Sequence, residues 1–232
     1  TYTWQDRRYQ AQGRFENADL ARVLVPTEDL QVEGKASGEF KLAGTADQLT
    51  RLDSNLILQN VEVNQSLLGS GGWTVTSSDG IFRGEGALST LGRSAVVQNA
   101  EFNSETRALR GELDFFNFDL SNIVVTADRW TRNWTEDARN LIKGAEGSVF
   151  ASFLVGGTPE AISVEMSDLQ VKSMEIQGRQ GGDLSARGSY REGHFKMESL
   201  DWLVRPATEN EAASRIRGQF SVEEGLLRGG GE

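Results

Sequence analysis

The side chains that could do chemistry in this chain stand apart from one another. His194 is the only histidine, and there is no cysteine. A metal site needs several such donors converging, and a lone histidine next to Gly193 reads as an exposed residue between strands. No Gly-x-Ser-x-Gly elbow, Walker-type loop or dinucleotide fingerprint occurs in its required context. Gly84-Glu-Gly86 and the glycines from Gly178 to Gly182 are not followed by helices that could seat a phosphate. Carboxylates are plentiful, but Glu62, Glu165 and Glu175 alternate with apolar neighbours. That is the pattern of a wetted strand face, not of a paired acid and base. Asp79-Gly80 and Glu192-Gly193 read as hairpin turns. Glu28-Asp29 and Glu223-Glu224 read as loop charges. Asn64-Gln-Ser66 and Asn133-Trp-Thr135 match glycosylation sequons, a match too short to carry weight. The residues thus point to a chain that is not an enzyme, with no metal and no cofactor.

The elements around these residues are strands. Tyr9, Ala11, Gly13 and Phe15 alternate, as do Trp73 and Val75, then Phe82, Gly84, Gly86 and Leu88, then Leu184, Ala186, Gly188 and Tyr190. A period of two puts one apolar and one wet face on each strand. Gln10, Gln12, Arg83, Glu85, Arg187 and Arg191 fall on the wet face. The alternation slips by one at Gln59-Asn60 and again at Ser167-Asp168, which predicts a bulge at each. Helical signals are short: Asn17 to Leu24, with Asn17 as cap, and Thr135 to Lys143, capped by Thr135 and ended by Gly144. Pro206 to Ser214 reads as a loop or a single helical turn.

The same beat occurs twice. Leu56, Leu58, Val61 and Val63 reappear as Val164, Met166, Leu169 and Val171. Gly13-Arg-Phe15 with Asp19-Leu20 is answered by Gly111-Glu-Leu113 with Asp119-Leu120. Gly34, Gly38, Phe40, Leu42 and Gly44-Thr45 are answered by Gly144, Gly147, Val149, Ala151, Phe153 and Gly157-Thr158. Gly80-Ile-Phe82 is answered by Gly193-His-Phe195. The expected organisation is one continuous array: repeat 1 over 9–108, repeat 2 over 109–216, and a third repeat opening over 217–232 at Gly218-Gln-Phe220. The segment from Trp130 to Lys143 is an insertion in the second copy.

Composition narrows the function classes. The 232 residues include 26 glycines but only 3 prolines, so glycine punctuates strands rather than building collagen. Net charge is −10, from 34 acids and 24 bases, without the basic stripe of a nucleic-acid binder. The same charge opposes docking on anionic lipid. No segment resembles a signal peptide or a membrane span. Both ends read as cut, so the expectation is an excerpt of a longer protein whose anchor lies elsewhere. What remains is the apolar face. A long sheet with such a face bare would aggregate. It can wind into a β-helix, close as a sandwich, or curl into a trough occupied by something else. The small inward residues Gly84, Gly86, Ala151, Ala186 and Gly188 suit a curved wall or room for a ligand chain.

Gly34-Lys-Ala-Ser-Gly-Glu-Phe-Lys-Leu-Ala-Gly-Thr45, followed by Leu56-Ile-Leu-Gln-Asn-Val-Glu-Val63, resembles repeats of TamB and AsmA-like (DUF490-type) envelope proteins. Gly13-Arg-Phe-Glu-Asn-Ala-Asp-Leu20 and Asp79-Gly-Ile-Phe-Arg-Gly-Glu-Gly86 are similar to them as well. The resemblance implies an all-β fold: a single long, curved, mainly antiparallel sheet forming a U-shaped trough (a β-taco) with a hydrophobic interior and minor short helices. It implies no catalytic residues, a periplasmic location, and a parent protein anchored in the inner membrane. The implied roles are phospholipid movement between membranes, as in bridge-like lipid-transfer proteins, and insertion of outer-membrane barrels with an Omp85-type partner bound by another part of the parent. Membrane contact would fall outside this chain. Phe40, Leu42, Leu56, Leu58, Trp73, Val75, Val149, Phe153, Val164 and Met166 are expected to line the groove against phospholipid acyl chains. A chaperone-like trough for client β-strands and a stalk without ligand are the alternatives.

Overall fold

The computed structural model describes residues 2–3, 8–23, 31–45, 48–63, 66–90, 92–120, 144–158, 160–176, 178–204, 213–223 and 226–231. Of these residues 88% lie in strands and 2% in helix. In each unit the architecture is all-β and antiparallel, with strand neighbours in chain order. The strands are β1 (Tyr2–Thr3), β2 (Arg8–Asp19), β3 (Val32–Thr45), β4 (Leu49–Val63), β5 (Ser66–Ser78), β6 (Ile81–Thr90), β7 (Arg93–Asn103), β8 (Leu109–Asp119), β9 (Ala145–Thr158), β10 (Ala161–Ile176), β11 (Arg179–Arg191), β12 (His194–Val204), β13 (Ser214–Glu223) and β14 (Leu226–Gly231). A short helix, α1 (Leu20–Val23), follows β2. The chain divides into two compact units, Thr1–Leu113 with Gly156–Glu160, and Asp114–Val155 with Ala161–Glu232.

In the first unit the pairing is a meander, as the two-residue alternation and short Gly-containing turns dictate. Asp79 and Gly80 both take positive φ in the β5–β6 turn, the conformation a tight two-residue hairpin requires. Glu192 and Gly193 repeat this between β11 and β12 in the second unit. The expected bulges are present. The β4–β5 register slips between Leu58 and Val61, with Asn60 left-handed (φ 50°), and the β10–β11 register slips between Met166 and Leu169.

Two expectations change. The helical turn begins at Leu20, not Asn17. Asn17 lies in β2 in a left-handed conformation (φ 55°), and the cap is Asp19, whose Oδ1 accepts the Ala21 N–H at 3.1 Å. A bulge there lets an Asn adopt a backbone conformation that most side chains resist. The second change concerns the repeat. β10 slips a second time, between Val171 and Met174 with Ser173 left-handed (φ 51°), and again between Met174 and Glu175. These two slips reproduce those of β4 between Leu58 and Val61 and between Val61 and Glu62, even to their partners: Gly71, Gly69 and Leu67 become Leu184, Gly182 and Gln180. The structural counterparts of Leu56 and Leu58 are therefore Leu169 and Val171, not Val164 and Met166. By the same measure Gly34 matches Gly147, both with positive φ, and Asp79-Gly80 matches Glu192-Gly193. All these matches share one spacing, 113 residues, which also relates Phe40 to Phe153 and Phe82 to Phe195. Ser167-Asp168 is an extra bulge of the second unit. Its slip imitates that of Gln59-Asn60 in sequence, because alternation alone does not number the bulges.

The helix expected over Thr135–Lys143 and the insertion from Trp130 lie outside the described residues, as do both sequons' asparagines and most of Pro206–Ser214.

Candidate functional site

In the first unit, residues directly opposite one another across the ladder share a face. Three rows run across six strands, β2 to β7. One is Ala11, Leu42, Leu52, Ser77, Phe82 and Phe102. The next is Gly13, Phe40, Ser54, Val75, Gly84 and Ala100. The third is Phe15, Gly38, Leu56, Trp73, Gly86 and Val97. None of these 18 positions is charged. The intervening rows hold the opposite face, for example Gln12, Lys41, Asp53, Thr76, Arg83 and Glu101. Alternation in the sequence thus becomes a largely segregated sheet, with Ile57 and Ile81 as apolar residues on the polar face.

The apolar rows have low relief. Bulky side chains lie across glycines of the neighbouring strand: a Cβ on Gly13 would come within 2.8 Å of Phe40 Cζ, and one on Gly86 within 2.6 Å of the Trp73 ring. The Tyr9 ring covers Gly44 in the same way. Leu56 sits beside Gly38, and Val75 beside Gly84. At one end of the rows the face is filled by the protein itself. Leu20 of α1, Ala36, Val61 and Leu88 form a buried cluster, with Phe15, Val32, Leu58, Val63, Leu68 and Trp73 packed around it. Trp73 Nε1 is buried there without a hydrogen-bond partner. Towards the other end the face opens, and Phe102 is 39% exposed beside Phe82, ring centroids 6.4 Å apart.

The second unit repeats the plan. Val164, Tyr190, Phe195 and Val222 form one row; Met166, Gly188, Met197 and Phe220 the next; Leu169, Ala186, Leu200 and Gly218 a third. Val149, Ala151, Val171, Met174 and Ala186 are buried. Phe153 packs edge-on against Phe115, centroids 6.1 Å apart, and Phe115 against Phe118 at 5.1 Å. Trp202 donates to Gly181 O at 2.6 Å.

Of the ten residues expected to line a groove, Phe40, Leu42, Leu56, Leu58, Trp73 and Val75 share one face of the first unit, and Val164 and Met166 share one face of the second. Eight of these and Phe153 are half-buried. Val149 is only 2% exposed and is a core residue. Leu58 and Trp73 belong partly to the internal cluster. Ala11, Phe82 and Tyr190 share these faces too; they stood in the alternating runs read from the sequence but were not counted among the groove residues. Leu52, Phe102, Phe195, Met197 and Phe220 were missed, and extending the alternation along each strand would have found them.

The polar face carries ion pairs. Glu101 accepts from Arg83 at 3.1 Å and Arg110 at 3.2 Å; Asp201 pairs with Arg215 at 2.6 Å and Arg217 at 3.4 Å. The Arg215 hydrogen bond, helped by the nearby Arg217 charge, outweighs desolvation and holds the Asp201 carboxyl below its ordinary range. Depressions of about 360 and 660 Å³ lie mainly among such polar side chains, one by Thr74, Arg83, Glu85 and Arg110, the other by Gln10, Lys41, Arg51 and Asp53. Among the described residues no group of three or more His, Cys, Asp or Glu side chains could hold a metal ion. His194 is exposed where β12 begins. No helix among the described residues is long and apolar enough to cross a membrane.

Comparison with protein-family models, with curated proteins and with solved structures finds no match.

Proposed function

We propose that the apolar rows form the floor of a curved hydrophobic trough that holds phospholipid acyl chains, in a non-catalytic segment of a TamB/AsmA-like protein of the periplasm. In this reading the parent conducts phospholipid between inner and outer membranes or supports outer-membrane barrel assembly, with an Omp85-type partner bound elsewhere in the parent. The observation that carries it is the set of three uncharged rows, mostly half-buried and left uncapped away from the internal cluster, on a sheet whose other face is mainly polar. A hydrocarbon chain leaving water for such a face gains about 0.8 kcal/mol per CH₂. Low relief offers nearly equal sites along the rows, so a chain can slide without re-entering water. A client β-strand fits less well, because laid on this face its backbone groups would be buried unpaired. The rows offer only the Ser54 and Ser77 hydroxyls, of which Ser54 already donates to Val75 O, and the Trp73 Nε1, which is buried in the internal cluster.

Native mass spectrometry of protein incubated with phospholipid tests the proposal. Bound lipid is expected on the wild type and is lost in Leu42→Glu with Val75→Glu, while circular dichroism of the variant stays native. These positions discriminate better than Leu58, whose substitution also damages the internal cluster. Wild-type protein free of lipid, or a variant that unfolds as a cored sandwich would, refutes the trough.

A further inference from the structure

Three bulges share one construction. At each, a left-handed residue turns its amide out of the ladder, and a short polar side chain on the next strand receives it. Asn17 N–H donates to Ser37 Oγ at 3.0 Å, Asn60 N–H to Ser70 Oγ at 2.9 Å, and Ser173 N–H to Asp183 Oδ1 at 2.9 Å. The last two clasps also share their surroundings. On the preceding strand Gly34 and Gly147 have positive φ, and a Cβ there would crowd the bulge backbone at Gln59 O (2.9 Å) and Lys172 O (3.1 Å). On the following strand Gly69 and Gly182 are left of the same clasp residue and also have positive φ. Every member is 113 residues from its counterpart. The accepting side chain changes from Ser to Asp and the left-handed residue from Asn to Ser, yet the bond is kept. A side-chain acceptor at this point is thus a requirement of the geometry, met with different residues.

A bulge bends its strand. Beyond the Asn60 bulge, the end of β4 and the start of β5 bring Val61, Val63 and Leu68 into the cluster with Leu58 and Trp73. Val61 is 4% exposed, and its counterpart Met174 is likewise buried. The bend therefore decides where the self-filled part of the face stops and the open rows begin. We infer that the Asn60–Ser70 and Ser173–Asp183 clasps are positioning pairs for the apolar face. They hold the bent strand ends over it and so set the width left for an occupant. This rests on the acyl-chain reading above and adds a selection by cross-section, one hydrocarbon chain against two.

Spin labels at Arg51 and Leu67, both exposed, report the bend in the first unit. Ser70→Ala is expected to broaden and shift the interlabel distance distribution relative to wild type. It is also expected to change the ratio of lysophospholipid to diacyl phospholipid affinity by about fivefold, the scale of one lost hydrogen bond. Ser70→Thr, which keeps the acceptor, restores both. Asp183→Asn, which keeps an acceptor, and Asp183→Ala make the same comparison in the second unit by the affinity ratio. Wild-type protein that binds lipid while Ser70→Ala leaves distance and ratio unchanged overturns the clasps alone. A parallel fall of both affinities with stability, or failure of Thr to rescue, also overturns them. Wild-type protein that binds neither lipid overturns the acyl-chain reading and this inference with it, whatever the labels report.

Discussion

At Gly86 the Trp73 indole occupies the space a side chain would need, and the same exchange between ring and glycine recurs at Phe40 with Gly13. Glycine weakens a strand, and an aromatic ring laid over it returns contact area while keeping the face flat. Gly86→Val is therefore expected to destabilise the protein by about 1–3 kcal/mol through overpacking, read as a lower urea midpoint with unchanged m-value. On the other face, Asp201 makes its contribution through Arg215 and Arg217. Its carboxyl is held low in the folded state, so the stabilisation is full above the unfolded value of about 3.9 and is lost as pH falls through the lower folded value. Asp201→Asn should lower the denaturation midpoint at pH 7, with the difference from wild type closing towards pH 2. Added salt should shrink it at pH 7, because the pair is exposed.

The strand owes its bends to single residues that the sequence displays openly. Asn17, Asn60, Asn99 and Asn117 are all left-handed within strands, and three of the four follow Glu or Gln and precede Ala or Val. Asn tolerates this conformation better than other non-glycine residues. Of these four, only the slip at Gln59-Asn60 was legible as a bulge, because there the apolar alternation visibly loses step. Asn17 was masked by its position ahead of Asp19-Leu20, where an Asn also suits a helix cap. Asn60→Val forces a β-branched residue into left-handed space and should cost about 1–3 kcal/mol, whereas Asn60→Gly should be tolerated. Inside the matching bend of the second unit, Met174→Ala should cost about 2–5 kcal/mol by opening a cavity, measured by chemical denaturation.

Over the whole chain, the 113-residue spacing makes a prediction that the repeat read from side-chain pattern alone does not. Excising residues 34–146 joins Glu33 to Gly147 in the same strand position and keeps every later bulge opposite its partner. The shortened chain should retain a β-type circular dichroism spectrum and unfold cooperatively. Excising residues 34–141, a spacing of 108, puts Ile142 in the place of the left-handed glycine and should fold poorly. An apolar face left half-exposed should also bind anilinonaphthalene sulfonate in the native state, and added phospholipid should displace the dye.

The sequence by itself determined the class of structure: period-two alternation, glycine at turns and the absence of paired reactive groups leave an all-β array with one apolar and one polar face. It also placed most of the apolar residues on the correct face, since alternation needs only local backbone geometry. Which residues answer one another between the units was decided by tertiary structure. A bulge shifts a side-chain pattern by one residue, and two bulges restore its phase, so Leu56 resembles Val164 in pattern while Leu169 holds its place in the ladder. The boundary between core and open face was likewise set by contacts far apart in the chain. Leu20, Val61 and Leu88 meet only once the strands are paired and bent, and that meeting separates the buried end of the first unit's face from the exposed edge at Phe102.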